Sequence, residues 1–158
     1  MQTRYLGDSH DFIKFALLRH VHRHCGLRLG VNWYLTSPEE VDRHASSDGE
    51  MRHHLTHTAW RDWDPELLEA VREFEVPERR TLAALRASSI LPRNTLFFEH
   101  PVPHQNRADW HHHAVSALAG ADLVFLDPDN GMEVKPKSMT GRRKAKYAYY
   151  SEMQSYYE

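Results

Sequence analysis

The sequence predicts an α/β fold in three layers, a mostly parallel sheet flanked by helices. Short runs of strand-like residues at 29–36, 95–99 and 123–126 alternate with helical periodicities at 11–25, 65–74, 78–88 and 107–119. Strands separated by helices pair in parallel. The last of these runs, Asp122-Leu-Val-Phe-Leu-Asp127-Pro128-Asp129-Asn130-Gly131, is apolar until it stops on acids, a proline, an amide and a glycine, as a buried strand does at a sheet rim. Hydrophobic residues make up 41% of 158, enough for one core and a single domain over 1–158.

Taken in order, residues 11–25 place Phe12, Phe15, Leu18, Val21 and Cys25 on one helix face, with Asp8 and Asp11 at the start and Gly26 at the end. Both acids suit the positive end of a helix, Asp8 as its cap. LGVNWYLT, 29–36, reads as the first strand, broken at Ser37-Pro38. An irregular, His-rich insertion follows over about 41–63. The Asp48-Gly49-Glu50-Met51-Arg52 stretch within it is a turn, or a loop arching over the sheet edge. Asp64-Pro65 opens the second helix with a cap and a first-turn proline. TLFFE, 95–99, is the second strand, and Gly120 closes the helix over 107–119. A basic loop spans 135–146, and a Tyr-rich C-terminal helix spans 147–158 with five of the seven Tyr. No strand follows it, so the sheet is either small or truncated at the C-terminal end.

Composition narrows the classes. No apolar stretch nears the roughly 20 residues that cross a bilayer, and the first residues lack a signal-peptide layout. With a single cysteine, no internal disulfide forms, and the cytoplasm is the expected compartment. Net charge is only −2, yet KPKSMTGRRKAK holds six of the 20 Lys and Arg and no acid. Such a strip suits a local anionic partner, a nucleic acid or nucleotide phosphate held by Lys135, Arg142, Arg143, Lys144 and Lys146. Interleaving of these cations with Tyr147, Tyr149 and Tyr150 has the form of a nucleic-acid contact. The tyrosines could equally pack on the sheet, or dock a second copy of the chain. The thirteen His fall in runs without recognised metal spacing, and surface histidine is the expectation. His111, His112 and His113 point three ways from one helix.

Chemistry is expected first at Asp127, Asp129 and Asn130. Side chains just past a strand's carboxyl end are held rigidly while facing solvent, where ligands bind in open α/β sheets, so both carboxylates are expected to be presented to solvent at the sheet rim. An Asx-turn explains an Asp and a Gly, but two carboxylates in three residues repel unless they meet a metal, an amine or a shared proton. At Gly7-Asp8-Ser9-His10-Asp11-Phe12-Ile13-Lys14, capping explains the acids. The same helix start, with Lys14 one turn in, could also meet a phosphate or a cofactor carboxylate.

The Gly-Asp-x-x-Asp-Phe-x-Lys helix, the early Trp-Tyr-Leu-Thr strand and the late strand ending in Asp-Pro together resemble an uncharacterised bacterial and phage family related to class I methyltransferases. More remotely, the arrangement is similar to RlmJ-type adenine-N6 methyltransferases of ribosomal RNA. The resemblance implies a Rossmann-like fold, a longer family protein and S-adenosylmethionine as cofactor, with Asp8, Asp11 and Lys14 at the cofactor rim. It implies that Asp127 accepts a hydrogen bond from the target amino group. Asp129 stands where that family's motif has its second proline, and Asn130 where it has the aromatic ring that stacks on a flipped base. No glycine-rich loop follows the first strand; Asn32-Trp33-Tyr34-Leu35 runs on to Pro38.

Two further patterns give alternatives. Pro128-Asp129 followed by Glu133-Val134-Lys135 is similar to the PD…ExK set of metal-dependent nucleases, in which Asp127, Asp129 and Glu133 would hold Mg or Mn. The apolar run ending in Asp-x-Asp also resembles haloacid-dehalogenase-type phosphatases, but those need a later Lys and a second acidic pair. A non-catalytic binding or assembly module is the remaining class.

Overall fold

A computed structural model describes residues 1–36, 50–134 and 141–157, with 141–143 followed in the main chain only. The chain forms two compact units, one of Thr3–Leu27 with Ala45–Asn94, the other of Met1–Gln2, Arg28–His44 and Thr95–Glu158.

The first unit is helical. Its long helix α1 (Ser9–Cys25) starts at Asp8, whose side chain accepts from the main-chain N–H of His10 and Asp11, and stops at Gly26 with φ 68°. Three short helices follow, α2 (His53–Thr56), α3 (Pro65–Val71) and α4 (Leu82–Ala87), linked by 3-10 turns. Asp64 caps α3 by accepting from Leu67 N, with Pro65 in the first turn. The helical periodicities at 65–74 and 78–88 thus resolve into shorter α-helices, extended at Arg72–Glu75 and preceded at Pro77–Arg79 by 3-10 turns. Val76-Pro77 explains the break, because a residue before proline is driven out of the helical region. Phe12, Phe15, Leu67, Val71, Phe74 and Leu85 are buried. A buried ion pair adds to them: Arg19 Nε donates to Asp64 Oδ2 at 2.7 Å. Gly7 must be glycine, since its φ is 77° and a Cβ there would lie 2.6 Å from Phe74 Cβ.

The second unit holds a small parallel sheet of β1 (Leu29–Asn32), β2 (Leu96–Phe98) and β3 (Leu123–Leu126). Strand order is β2-β1-β3, with Gly30 opposite Leu96 and Val124. The protein is therefore mixed α/β with a three-stranded parallel sheet, and each strand falls where the apolar runs predict it. β1 is half as long as its apolar run, because Tyr34 takes a positive φ of 45° that ends extended pairing. Helix α5 (Arg107–Leu118) packs on β2 and β1, and its Trp110, Ala114 and Leu118 join Tyr34, Phe98 and Val102 in one core. The Tyr-rich segment is helical only over α6 (Tyr150–Gln154). No described helix is long and apolar enough to cross a membrane.

Candidate functional site

At its carboxyl end β3 delivers the expected loop. Asp127 N donates to Asn32 O at 3.0 Å, so the loop begins on the last rung of the β1–β3 ladder. The turn closes where Gly131, φ 82°, donates to Pro128 O. Asn130 N donates to Lys146 O, and Met132 bridges to Ala148, which ties the loop to the stretch before α6. Asp127 and Asp129 thus belong to one short rigid turn, as the sequence predicts. They are not presented to solvent as expected, because the loop packs against the stretch before α6 and the first residues of the chain: Asp127 is 5% exposed and the Asp129 side chain 11%.

What surrounds Asp129 comes from far along the chain. Its Oδ1 lies 2.9 Å from the amino nitrogen of Met1. Its Oδ2 accepts from Gln2 Nε2 at 3.0 Å and Thr36 Oγ1 at 2.8 Å, with Lys146 Nζ at 3.9 Å. The same amino nitrogen donates to the carbonyls of Trp33, Tyr34 and Asp127 at 3.1, 2.9 and 3.1 Å. Four oxygens therefore converge on one nitrogen at the carboxyl ends of β1 and β3. The positive φ of Tyr34 makes this convergence, and its N–H is held by Asn32 Oδ1. Burial alone pushes the Asp129 carboxyl up; the Met1 ammonium and the hydrogen bonds from Gln2 and Thr36 outweigh it and hold the group below the usual range. Chemically this is a cradle of three neutral acceptors and one anion around the Met1 ammonium.

A second polar network fixes α6 against the sheet unit. Glu152 accepts from Arg107 Nε at 2.6 Å and Nη2 at 2.9 Å, from Tyr34 Oη at 3.1 Å and from Tyr149 N at 2.9 Å. Arg107 also lies 3.9 Å over the Tyr149 ring and donates to the carbonyls of Lys144 and Tyr147. Burial, with Glu152 beside it, pushes the Tyr34 phenol up, so it stays a neutral donor. Tyr156 Oη accepts from Asn32 Nδ2 at 3.1 Å. Of the Tyr-rich segment, Tyr149 and Tyr156 are thus engaged inward, while Tyr150 and Tyr157 are exposed.

Of the remaining expected residues, Asp8, Asp11 and Lys14 belong to the helical unit. Asp8 Oδ1 accepts from His10 N and Asp11 N. Asp11 Oδ2 accepts from Gly7 N at 3.1 Å, and its Oδ1 meets Lys14 Nζ at 3.2 Å. Asp8 Oδ1 and Asp11 Oδ2 are thus turned to the main chain of their own helix start, the capping role. Glu50 and Arg52 brace the same turn: they pair at 2.7 Å, and Arg52 Nη1 donates to Gly7 O. Asp48 and Gly49 lie outside the described residues.

Glu133 Oε1 accepts from Tyr150 N at 2.8 Å, at the start of α6. Among the described residues no group of three His, Cys, Asp or Glu is gathered to hold a metal ion. Lys144 is exposed and Lys146 half-buried beside Asp129. Lys135 lies outside the described residues, as do the side chains of Arg142 and Arg143.

His54 departs from the surface expectation for histidine. It is 1% exposed, its Nδ1 lies 3.0 Å from Ser9 Oγ, and its ring stacks on Phe12 with centroids 5.3 Å apart. His111 is half-buried and bonds Ser155, whereas His112 and His113 are exposed. Met1, Gln2, Thr36, Arg107 and Glu152 escape sequence reasoning because each is brought to its partner by the tertiary fold. Compared with known proteins, the chain matches no family model, no curated protein and no solved structure.

Proposed function

We propose that the protein is a Rossmann-like enzyme related to class I methyltransferases, acting on an amino group of a nucleic acid or nucleotide. A three-layer sheet is the full form of that fold. One observation carries the reading: four oxygens, from Trp33, Tyr34, Asp127 and Asp129, converge on an amino nitrogen just past the carboxyl ends of two parallel strands. Topology supports it. The chain passes from β1 to β2 at one edge and from β2 returns past β1 to β3 at the other, and in open α/β sheets the crevice at such a switch point takes the ligand. An incoming amino group competes with that of Met1 for these acceptors. Asp129 would take its proton, as a carboxylate in hydrogen-bond reach does in general-base catalysis.

S-adenosylmethionine is the methyl donor to test, with Lys144 and Lys146 as the described cations on the phosphate side. Transfer of labelled methyl from it to RNA, DNA and free nucleotides is the assay. Activity that falls by about a hundredfold or more in Asp129→Ala, the usual scale for losing a general base, supports the reading. Absence of both transfer and calorimetric binding of the donor refutes it.

A further inference from the structure

Among the described residues no three His, Cys, Asp or Glu gather as ligands, but two histidines of α1 are placed as a chelating pair. His20 and His24 lie four apart on a helix of 17 residues, which sets both side chains on one face, and both are exposed. Their rings stack with centroids 4.0 Å apart and planes at 28°. His24 Nδ1 lies 2.9 Å from His20 O. A carbonyl only accepts, so Nδ1 carries the proton and Nε2 keeps its lone pair outward, as in histidine ligands whose other nitrogen is tied to the main chain. Two imidazoles on one ion, each nitrogen about 2.0–2.1 Å from it, have ring centres roughly 4.5–5.2 Å apart. The pair needs to splay by only about half an ångström to reach that spacing. His53 and His57, also four apart, are placed differently: their rings meet edge to face at 5.9 Å, and His57 lies past the end of α2 in extended backbone.

We propose that His20 and His24 form a site for a borderline divalent transition ion, copper(II) most tightly, with water in the remaining positions. Imidazole nitrogen suits copper, nickel and zinc rather than Mg²⁺ or Ca²⁺, and copper stands highest in the stability order of divalent ions. Nearby charge does not oppose a cation. Arg23, between the two histidines, is answered by Glu66 at 3.0 Å and Asp64 at 3.5 Å, and Arg19 by Asp64 at 2.7 Å. A cleft of about 320 Å³, walled by Leu17, Trp63 and Asp64, opens beside the rings and leaves room for the other ligands. Cys25, next in sequence to His24, points about 100° away round the helix and is not part of the pair.

The test is a calorimetric titration of the full chain with nickel(II), which a thiol does not reduce. Nickel binds saturably, and Mg²⁺ does not. His20→Gln and His24→Gln, exposed positions where glutamine keeps the helix, each weaken nickel binding at least about tenfold. The double variant loses less than the product of the two, because either change already breaks the chelate. His53→Gln combined with His57→Gln leaves the affinity within about twofold. In Cys25→Ser, where no neighbouring thiol reduces copper(II), nickel binds as before and copper(II) displaces it. No saturable binding, binding unchanged in both α1 variants, or an equal loss on changing His53 and His57 overturns the proposal. Loss of nickel binding in Cys25→Ser, or failure of copper(II) to displace nickel there, also overturns it, since the ligand is then the thiol or something other than paired imidazoles.

Discussion

Lowering the pH from 7 to 5 should destabilise the helical unit through one residue, His54. Burial drives its imidazole from the ordinary 6.5 down to about 4, helped by the charge of Arg52 and, more weakly, Arg72 and His53, while Asp8 acts the other way. The folded protein therefore keeps His54 neutral where the unfolded chain binds a proton, so stability falls as the pH drops through 6.5 towards 4. At pH 5 the unfolded imidazole is about 97% protonated and the folded one about 10%, a linkage cost of about 2 kcal/mol that grows to about 3 at pH 4. Urea unfolding followed by circular dichroism at both pH values measures it, with His54→Phe as the reference. That variant keeps a ring against Phe12 and leaves the Ser9 hydroxyl without its partner, a penalty that is the same at both pH values. Wild type should lose about 2 kcal/mol more than the variant between pH 7 and 5. Equal losses would refute the argument, because the other twelve His are common to both proteins.

Three other outcomes follow from the same geometry. Gly7→Ala should cost at least about 2 kcal/mol, from left-handed strain plus overlap with Phe74. Gly26→Ala, at a similar φ with nothing within 4 Å of its Cβ, should cost only about 1; equal losses in urea midpoints would dismiss the contact. Arg107→Leu should destabilise by about 3–5 kcal/mol by stranding the buried Glu152 carboxylate, and adding Glu152→Leu should recover part of that loss in a double-mutant cycle. The Asp129 carboxyl is held below its unfolded value near 3.9, so its contribution is present above about pH 4 and vanishes as the pH falls through the folded value. Asp129→Asn should therefore make the acid unfolding transition below pH 4 shallower and leave the loss between pH 7 and 5 unchanged, as a titration by circular dichroism would read.

What could be read from the residues was local. The cap at Asp8, the stop at Gly26, the proline start at Pro65 and the apolar run of β3 each depend on neighbours within a turn or a strand, and each occurs where the spacing puts it. The boundaries that moved did so for tertiary reasons. LGVNWYLT has strand composition throughout, but Tyr34 leaves the extended region so that its ring can reach Trp110 and Glu152. Likewise His54 sits in a polar, irregular stretch with no periodicity to mark one face, and the start of α1 together with Trp60 supplies the pocket that buries it.

The candidate site shows the same division more sharply. Asp127, Asp129 and Asn130 declare themselves by an excess of acid that a turn does not require. The answer to that repulsion, however, comes from residues 1–2, 36 and 146, three segments whose sequences give no sign that they meet this turn. A carboxylate so surrounded has two possible uses. It can hold the fold together, or it can hold an amine that reacts. On the function proposed above, the three carbonyls that hold the Met1 nitrogen serve the second. A single ion pair with two hydrogen bonds already satisfies Asp129, and the strained φ of Tyr34, a conformation of the kind that gathers at binding sites, brings the carbonyls in while its ring reaches Trp110 and Glu152. Relaxing that strain gives the argument its sharpest test. Tyr34→Gly adopts φ 45° at no steric cost but frees the backbone, so amino-group binding should weaken even where the fold survives; a variant that folds and binds as well as wild type would reduce the site to a structural ion pair.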